Sequence, residues 1–189
     1  IEYSSKIEFH AEKATKKNTV LVVMTVASGI GGHTALINNW IRFDKNKTYT
    51  IVLTDCLQSV VPDFLIKTVK ESGGEIYHLK STVNLDKAEE LLHMAQSFQY
   101  IILNIHMYDM VPIIAFGHKN WEKPVYFYNH ADFLFSIGMS VSDVVFTLNQ
   151  YDNKRAKENR GAARAEILPF PQSEAIYKKS EKSVEILKE

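Results

Sequence analysis

The stretch Ala-Ser-Gly-Ile-Gly-Gly-His at residues 27–33 follows a strongly apolar run and combines three glycines with a histidine. Glycines let a backbone approach a ligand closely, and a helix that begins there would offer free N–H groups to an anion. The stretch is not a dinucleotide fingerprint, because Thr34 stands where a third glycine is needed, and no P-loop lysine follows. We expect Gly31, Gly32 and His33 to contact a phosphate or a sugar; the alternative is a tight turn without a ligand.

Two more histidines follow apolar runs, in Asn-Ile-His at residues 104–106 and in Asn-His-Ala-Asp at residues 129–132. Amide and carboxylate groups can hydrogen-bond sugar hydroxyls, and an imidazole can act as an acid, a base or an orienting donor. We therefore predict that His130 is catalytic and that His106, Asn129 and Asp132 bind substrate. For His106 the alternative is a loop histidine that is hydrogen-bonded to the backbone.

The residue types allow two further kinds of site. Convergence of His33, His106, His130 and Asp132 would allow a metal site, but their spacing matches no compact metal motif, so a metal-free site is expected. The basic stretch at residues 152–164 could face a phosphate-bearing or membrane-embedded acceptor. Glutamate interrupts that stretch, and a solvated helix face is the favoured interpretation.

Seven short apolar runs predict the strands that would position these residues. They lie at residues 19–26, 49–54, 75–79, 100–103, 124–128, 143–148 and 165–168. The first run is almost unbroken in aliphatic residues, which is typical of a strand buried on both faces of a parallel sheet. Helical patterns fill the gaps and predict right-handed βαβ units. The expected fold is α/β, a doubly wound, mostly parallel Rossmann-like sheet of about seven strands, which collects ligands at its carboxyl edge.

The helix boundaries follow from capping residues and prolines. A first helix is predicted at residues 34–43 from its apolar spacing. Asp55 and Asn84 are expected to cap the second and third helices. Pro112 is expected near the start of a fourth, where its missing N–H does no harm.

Composition limits the class of protein. The chain is 46% hydrophobic and 23% charged, and equal numbers of acidic and basic residues give a formal net charge of zero. This balance removes the electrostatic argument for nucleic-acid binding. Cys56 is the only cysteine, and the sequence shows neither a signal peptide nor an apolar run of the roughly 20 residues that a membrane span needs. We expect a cytoplasmic protein, with residues missing upstream because the chain starts at Ile1.

The chain divides into three predicted segments. Residues 1–18 form a lead-in, and residues 19–171 form the α/β domain. Residues 172–189 follow two prolines and form a Lys/Glu-rich helical tail that is expected to lead toward a further domain.

A first strand followed by Gly-Gly-His and a helix, together with a histidine-containing loop after a mid-sheet strand, resembles the N-terminal domain of GT-B glycosyltransferases. The similarity covers about residues 19–171 and points to the retaining bacterial group 1, family 4-like enzymes that build lipopolysaccharide, capsule and mannosyl glycans. The strand at 142–148, the polar helix at 150–159 and the strand with a proline exit at 165–171 resemble the last third of that domain.

The resemblance implies the acceptor-binding half of an enzyme that transfers a sugar from a nucleotide-sugar donor to an acceptor hydroxyl, in bacterial surface-glycan synthesis. It places Gly31, Gly32 and His33 in the cleft and His130 near the reacting sugar. It also implies that no metal is needed, that the acceptor is a sugar or lipid-linked molecule, and that the protein works at the inner face of the membrane. A C-terminal domain, absent from this chain, would hold the donor, so this half alone is expected to be inactive.

Two other functions stay open. The same fold could serve as a non-catalytic module that binds a sugar or a nucleotide. A nicotinamide-dependent oxidoreductase is disfavoured by the broken glycine fingerprint, although Asp55 lies close to the acidic position that such enzymes use.

Overall fold

The computed structural model describes residues 4–7, 17–55, 60–131 and 133–169. Its centre is one sheet of seven strands: β1 (Thr19–Met24), β2 (Thr48–Leu53), β3 (Ile76–His78), β4 (Tyr100–Asn104), β5 (Val125–Tyr128), β6 (Val144–Thr147) and β7 (Ala165–Ile167). The order across the sheet is β3-β2-β1-β4-β5-β6-β7, and all neighbouring strands are parallel. The predicted Rossmann-like α/β class and the seven strands are confirmed.

Strand β1 shows why an unbroken aliphatic run forms the middle of this sheet. All six of its residues are buried, because β2 and β4 pair with its two edges and side chains cover both of its faces. Val20 and Val22 belong to the apolar core on one face, and Leu21 belongs to the core on the other. Burying an aliphatic side chain of this size contributes about 1.5–3 kcal/mol. A strand with aliphatic side chains on both faces is therefore most stable in the middle of the sheet, where both faces are buried.

The helices of the described residues form a layer on each face of the sheet. They are α1 (Gly32–Phe43), α2 (Asp63–Glu71), α3 (Asn84–Ala95), α4 (Met110–Phe116) and α5 (Gln150–Asn159). Helices α1 and α2 pack on one face through Ile37 and Leu65. Helices α3 and α4 pack on the other through Leu91 and Ile114. The sheet is therefore doubly wound, as the alternating sequence pattern predicts.

Two of the predicted helix caps are wrong. Helix α2 begins at Asp63 after Pro62, so Asp55 does not cap it; the N–H of Asp55 donates instead to the carbonyl of Thr25 at 2.9 Å. Asn84 is the first residue of α3, not its cap. Asp and Asn are favourable capping residues. Where a helix starts is nevertheless determined by where the chain turns back to pack on the sheet.

Pro112 lies in the first turn of α4, as predicted, and the cap of that helix is Asp109. Its Oδ1 accepts a hydrogen bond from the N–H of Val111 at 3.1 Å.

Part of the predicted lead-in packs on the domain. Ser4–Lys6 form a short 3-10 helix, and Ile7 is only 4% exposed within the same core as α3 and α4. Cys56, Asp132 and the predicted tail at residues 172–189 lie outside the described residues. Within the described ranges, no helix is long and apolar enough to cross a membrane.

Candidate active site

The strand order reverses between β1 and β4, which lie side by side although the helices that follow them cover opposite faces. At such a switch point the two outgoing loops diverge and leave a crevice at the carboxyl edge of the sheet. The loop after β1 leads to His33, the loop after β4 holds His106, and the loop after β5 holds His130. The three candidate histidines therefore start from adjacent strands at one edge.

The glycine-rich loop leaves the first turn of α1 open. Gly31 occupies the cap position with φ 132° and ψ 151°, a conformation that residues with a side chain rarely adopt, and no side chain of the described residues caps the helix. The N–H of Ser28 donates to Thr34 Oγ1 at 2.9 Å, which folds the loop against the helix. Gly31 and Gly32 are exposed, and the first turn has no acidic residue. The N–H groups of this turn can therefore receive an anion or a hydroxyl.

His33, His106 and His130 meet at the switch point. The rings of His33 and His130 are stacked, with centroids 5.7 Å apart and 27° between their planes. His106 meets His33 edge-on, at 6.2 Å and 71°. His33 Nε2 lies 3.3 Å from the carbonyl oxygen of Val26, which fixes the ring in the loop after β1. The expected convergence is seen in the geometry, and the roles of the three residues stay predictions.

Burial favours the neutral form of two of these imidazoles. The pKa of His130 is lowered from 6.5 to about 4, first because burial penalises the charged ring and then because His33 would repel it. The pKa of His33 is also lowered, mainly by burial, although the carbonyl of Val26 favours its charged form. At neutral pH His130 therefore has one donor and one acceptor nitrogen. A sugar hydroxyl, which both donates and accepts, is complementary to such a ring.

Two buried asparagines lie next to the histidine loops, Asn104 at the end of β4 and Asn129 directly after β5. Asn104 is 1% exposed, and its Nδ2 donates to the carbonyl of His33 at 3.0 Å, which joins the end of β4 to the start of α1. Asn129, predicted to bind substrate, is 2% exposed, so its side chain is buried, and its substrate contact stays a prediction. The Oδ1 atoms of both asparagines and Nδ1 of His130 are buried without a hydrogen-bond partner among the described residues. Asp132, the other predicted contact, lies outside those residues.

A second polar network lies beside the histidines, at the ends of β1 and β2. The carboxylate oxygen Oδ2 of Asp109 accepts hydrogen bonds from the hydroxyls of Thr25 at 2.7 Å and Thr54 at 2.5 Å. Thr25 Oγ1 in turn accepts from the N–H of His106 at 2.8 Å. The ammonium group of Lys87, a residue only 9% exposed, donates to the carbonyl of Thr54 at 2.7 Å. This network joins α3, β1, β2 and the loop after β4.

The residues of this network were not predicted from the sequence. Thr25 and Thr54 are polar residues that directly follow strands β1 and β2, and Asp109 precedes the first helical residues of α4. Those positions are signals for a strand end and a helix cap. The three side chains meet because β2, β1 and β4 are adjacent in the sheet. This strand order could not be predicted from the sequence.

Among residues 4–7, 17–55, 60–131 and 133–169, no group of three or more His, Cys, Asp or Glu side chains could hold a metal ion. In the basic stretch, Lys154 and Glu158 form an exposed ion pair at 3.9 Å along α5. Such a pair fits a solvated helix face.

No known family model matches the chain, and no curated protein matches it. Among solved structures, it is similar to "Anabaena Alr3699/HepE in complex with UDP and glucose", with a TM-score of 0.58 and 12% sequence identity. The similarity covers 82% of this chain and 45% of that one, so the chain spans less than half the length of the solved protein. At this identity the likeness shows a common fold, the parallel Rossmann-like sheet with its two helical layers.

Proposed function

We propose that this chain is the N-terminal, acceptor-binding part of a glycosyltransferase that moves a sugar from a nucleotide-sugar donor to an acceptor hydroxyl. The observation that supports this most is the meeting of His33, His106 and His130 at the switch point of a doubly wound sheet. The structural neighbour was solved with UDP and glucose, the two parts of a nucleotide sugar. A nucleotide sugar is therefore the co-substrate that we expect.

His130 is the proposed catalytic residue. In glycosyl transfer the acceptor oxygen bonds to the anomeric carbon, the bond from that carbon to the donor phosphate breaks, and the hydroxyl proton passes to the imidazole or to the departing phosphate oxygen. A neutral imidazole accepts a hydrogen bond from the hydroxyl and aligns its oxygen for attack. With a pKa of about 4, His130 is a weak base in the free protein. The negative charge of a bound diphosphate would raise that pKa and with it the basicity of the ring.

We propose that the first turn of α1 contacts anionic or hydroxyl groups of the substrate. Among the described residues no side chain caps the start of this 12-residue helix, where Gly31 and Gly32 lie next to His33. Helix N-terminal N–H groups favour phosphate and other anions. His33 and His106 border the same space, so we assign all four residues to substrate binding.

A second domain would supply the remainder of the active site. The chain spans 45% of the solved neighbour, and we propose that a C-terminal domain of the intact enzyme binds the nucleotide sugar. Backbone amides and basic side chains of that domain would stabilise the departing nucleotide without a metal. The proposed setting is bacterial surface-glycan synthesis at the inner face of the membrane, with a sugar or lipid-linked acceptor.

Turnover by the full-length protein tests this proposal. Release of UDP or GDP is followed across a panel of sugar nucleotides, with and without a chelator, in the presence of candidate acceptors. We expect release from one donor that the chelator does not abolish. Binding of a sugar or nucleotide without release from any donor would reject the transferase and support the non-catalytic module.

A further inference from the structure

Asp109 connects three strand ends of the sheet through its carboxylate and its backbone N–H. Its Oδ2 receives the hydroxyl of Thr25, which follows β1, and that of Thr54, which follows β2. Its Oδ1 caps α4 by accepting the N–H of Val111, and its own N–H donates to the carbonyl of His106 at 3.1 Å. Asp109 thereby ties the loop that holds His106 to the two neighbouring strands.

Both threonine hydroxyls donate to the carboxylate of Asp109. An ionised carboxylate can only accept, so both threonine hydroxyls must donate their single proton to it. The oxygen of Thr25 then has its lone pairs free for another donor, and the N–H of His106 lies 2.8 Å away. The carboxylate thus orients Thr25 so that it accepts from the backbone of His106.

The other end of the network is held by α3. Lys87 donates to the carbonyl of Thr54, and the side chain is nearly enclosed. Hydrogen bonds that involve a charged group are shorter and roughly twice as strong as neutral ones. The path from Lys87 through Thr54, Asp109 and Thr25 to His106 therefore includes two charged groups, which favours a single arrangement of the loop.

From this we infer that Asp109 is a positioning residue that acts through the hydroxyl of Thr25 to hold His106 against His33. The rings of these two histidines lie 6.2 Å apart, and the backbone of His106 is fixed at its N–H and at its carbonyl by this network. The inference rests on the proposed function, since it assigns Asp109 to the geometry of that site. The role assigned to Asp109 is positioning, since its two carboxylate oxygens accept three hydrogen bonds from within the protein.

Variants of Thr25 separate positioning from general packing. Thr25→Val keeps the shape of the side chain and removes the oxygen, whereas Thr25→Ser keeps the hydroxyl. Thr50→Val changes a buried threonine in the middle of β2 and serves as the matched control. Amide hydrogen exchange is measured by NMR at His106 and, as the reporter of global opening, at Val22 in β1.

We expect the Thr25→Val change to accelerate exchange at His106 at least fivefold more than at Val22, about the effect of one lost hydrogen bond. Thr25→Ser should restore exchange to within about twofold of the wild type, and Thr50→Val should leave the ratio of the two rates unchanged. Asp109→Asn should also accelerate exchange at His106, because an amide nitrogen can donate to Thr25 and reverse the orientation of its hydroxyl. Equal exchange at His106 in the wild type and in Thr25→Val would overturn the inference.

Kinetics of the full-length enzyme then test the link to the reaction. We expect Asp109→Asn and Thr25→Val to lower kcat at least tenfold with KM for the donor within about threefold, since a displaced group affects alignment more than binding. Unchanged kcat in both variants would overturn the positioning role. The exchange result does not depend on turnover, so loss of protection at His106 in a protein without activity on any donor would reject the proposed function alone.

Discussion

Replacing His130 by glutamine should remove part of the acid sensitivity of the folded protein. Folding lowers the pKa of His130 from 6.5 to about 4, mainly through burial, so the unfolded chain binds the proton more tightly. Acidification below pH 6.5 therefore favours unfolding through this group, and the effect is complete near pH 4. Each tenfold difference in proton affinity is worth about 1.4 kcal/mol, so the total loss of unfolding free energy from His130 is about 3 kcal/mol.

Urea unfolding at steps between pH 7 and pH 4 measures this contribution. The stability of the wild type relative to His130→Gln should fall by about 3 kcal/mol across the interval, because glutamine does not titrate. His78→Gln is the control, because it removes a histidine at an exposed position of β3 and shows how the loss of a surface histidine changes the free energy of unfolding. A difference between wild type and His130→Gln that stays constant over the whole range would refute the burial of this ring at the switch point.

The remaining predictions concern the scaffold and can be read from thermal and denaturant unfolding. Gly74→Ala should cost about 3 kcal/mol or more, since a Cβ there would lie 1.8 Å from the carbonyl oxygen of Tyr49. Gly161→Ala, at φ 69° in open space, should cost only about 1 kcal/mol, and equal losses from the two changes would contradict the close approach at Gly74. Tyr128→Phe should cost about 1 kcal/mol because the buried hydroxyl donates to the carbonyl of Leu168 at 2.8 Å, whereas Tyr151→Phe, 69% exposed, should change stability by less than about 0.5 kcal/mol. A larger loss from the Tyr151 change than from the Tyr128 change would contradict this account.

The sheet could be predicted from the sequence because its central strands are buried on both faces. A continuous aliphatic run as short as β1 is typical of a strand that is covered on both sides, and seven apolar runs in alternation with helical patterns indicate the class of fold. Helix starts were less predictable. Asp55 and Asn84 are good capping residues, but α2 begins well beyond Asp55 and α3 begins at Asn84 itself. A capping residue stabilises a helix by only about 1 kcal/mol, so the packing of the helix on the sheet determines where the helix starts.

The candidate site likewise has features that could be predicted from the sequence and features that could not. His33, His106 and His130 could be expected to converge because each follows a strand of one parallel sheet, and parallel strands end at a common edge. Asp109 could not be placed beside Thr25 and Thr54, because their contact depends on the strand order. The burial of Asn129 could not be predicted from its residue type either, and its contact with substrate stays a prediction.

We propose that the three-histidine crevice is the place of sugar transfer, and steady-state turnover of single variants can test this role. Full-length protein with His130→Ala is compared with wild type and with His78→Ala, using the donor that supports nucleotide release, and folding of each variant is checked by its thermal transition. We expect at least a tenfold loss of kcat for His130→Ala, in keeping with removal of a group that orients the acceptor hydroxyl, and no comparable loss for His78→Ala. Wild-type turnover in folded His130→Ala would rule out a catalytic role for His130.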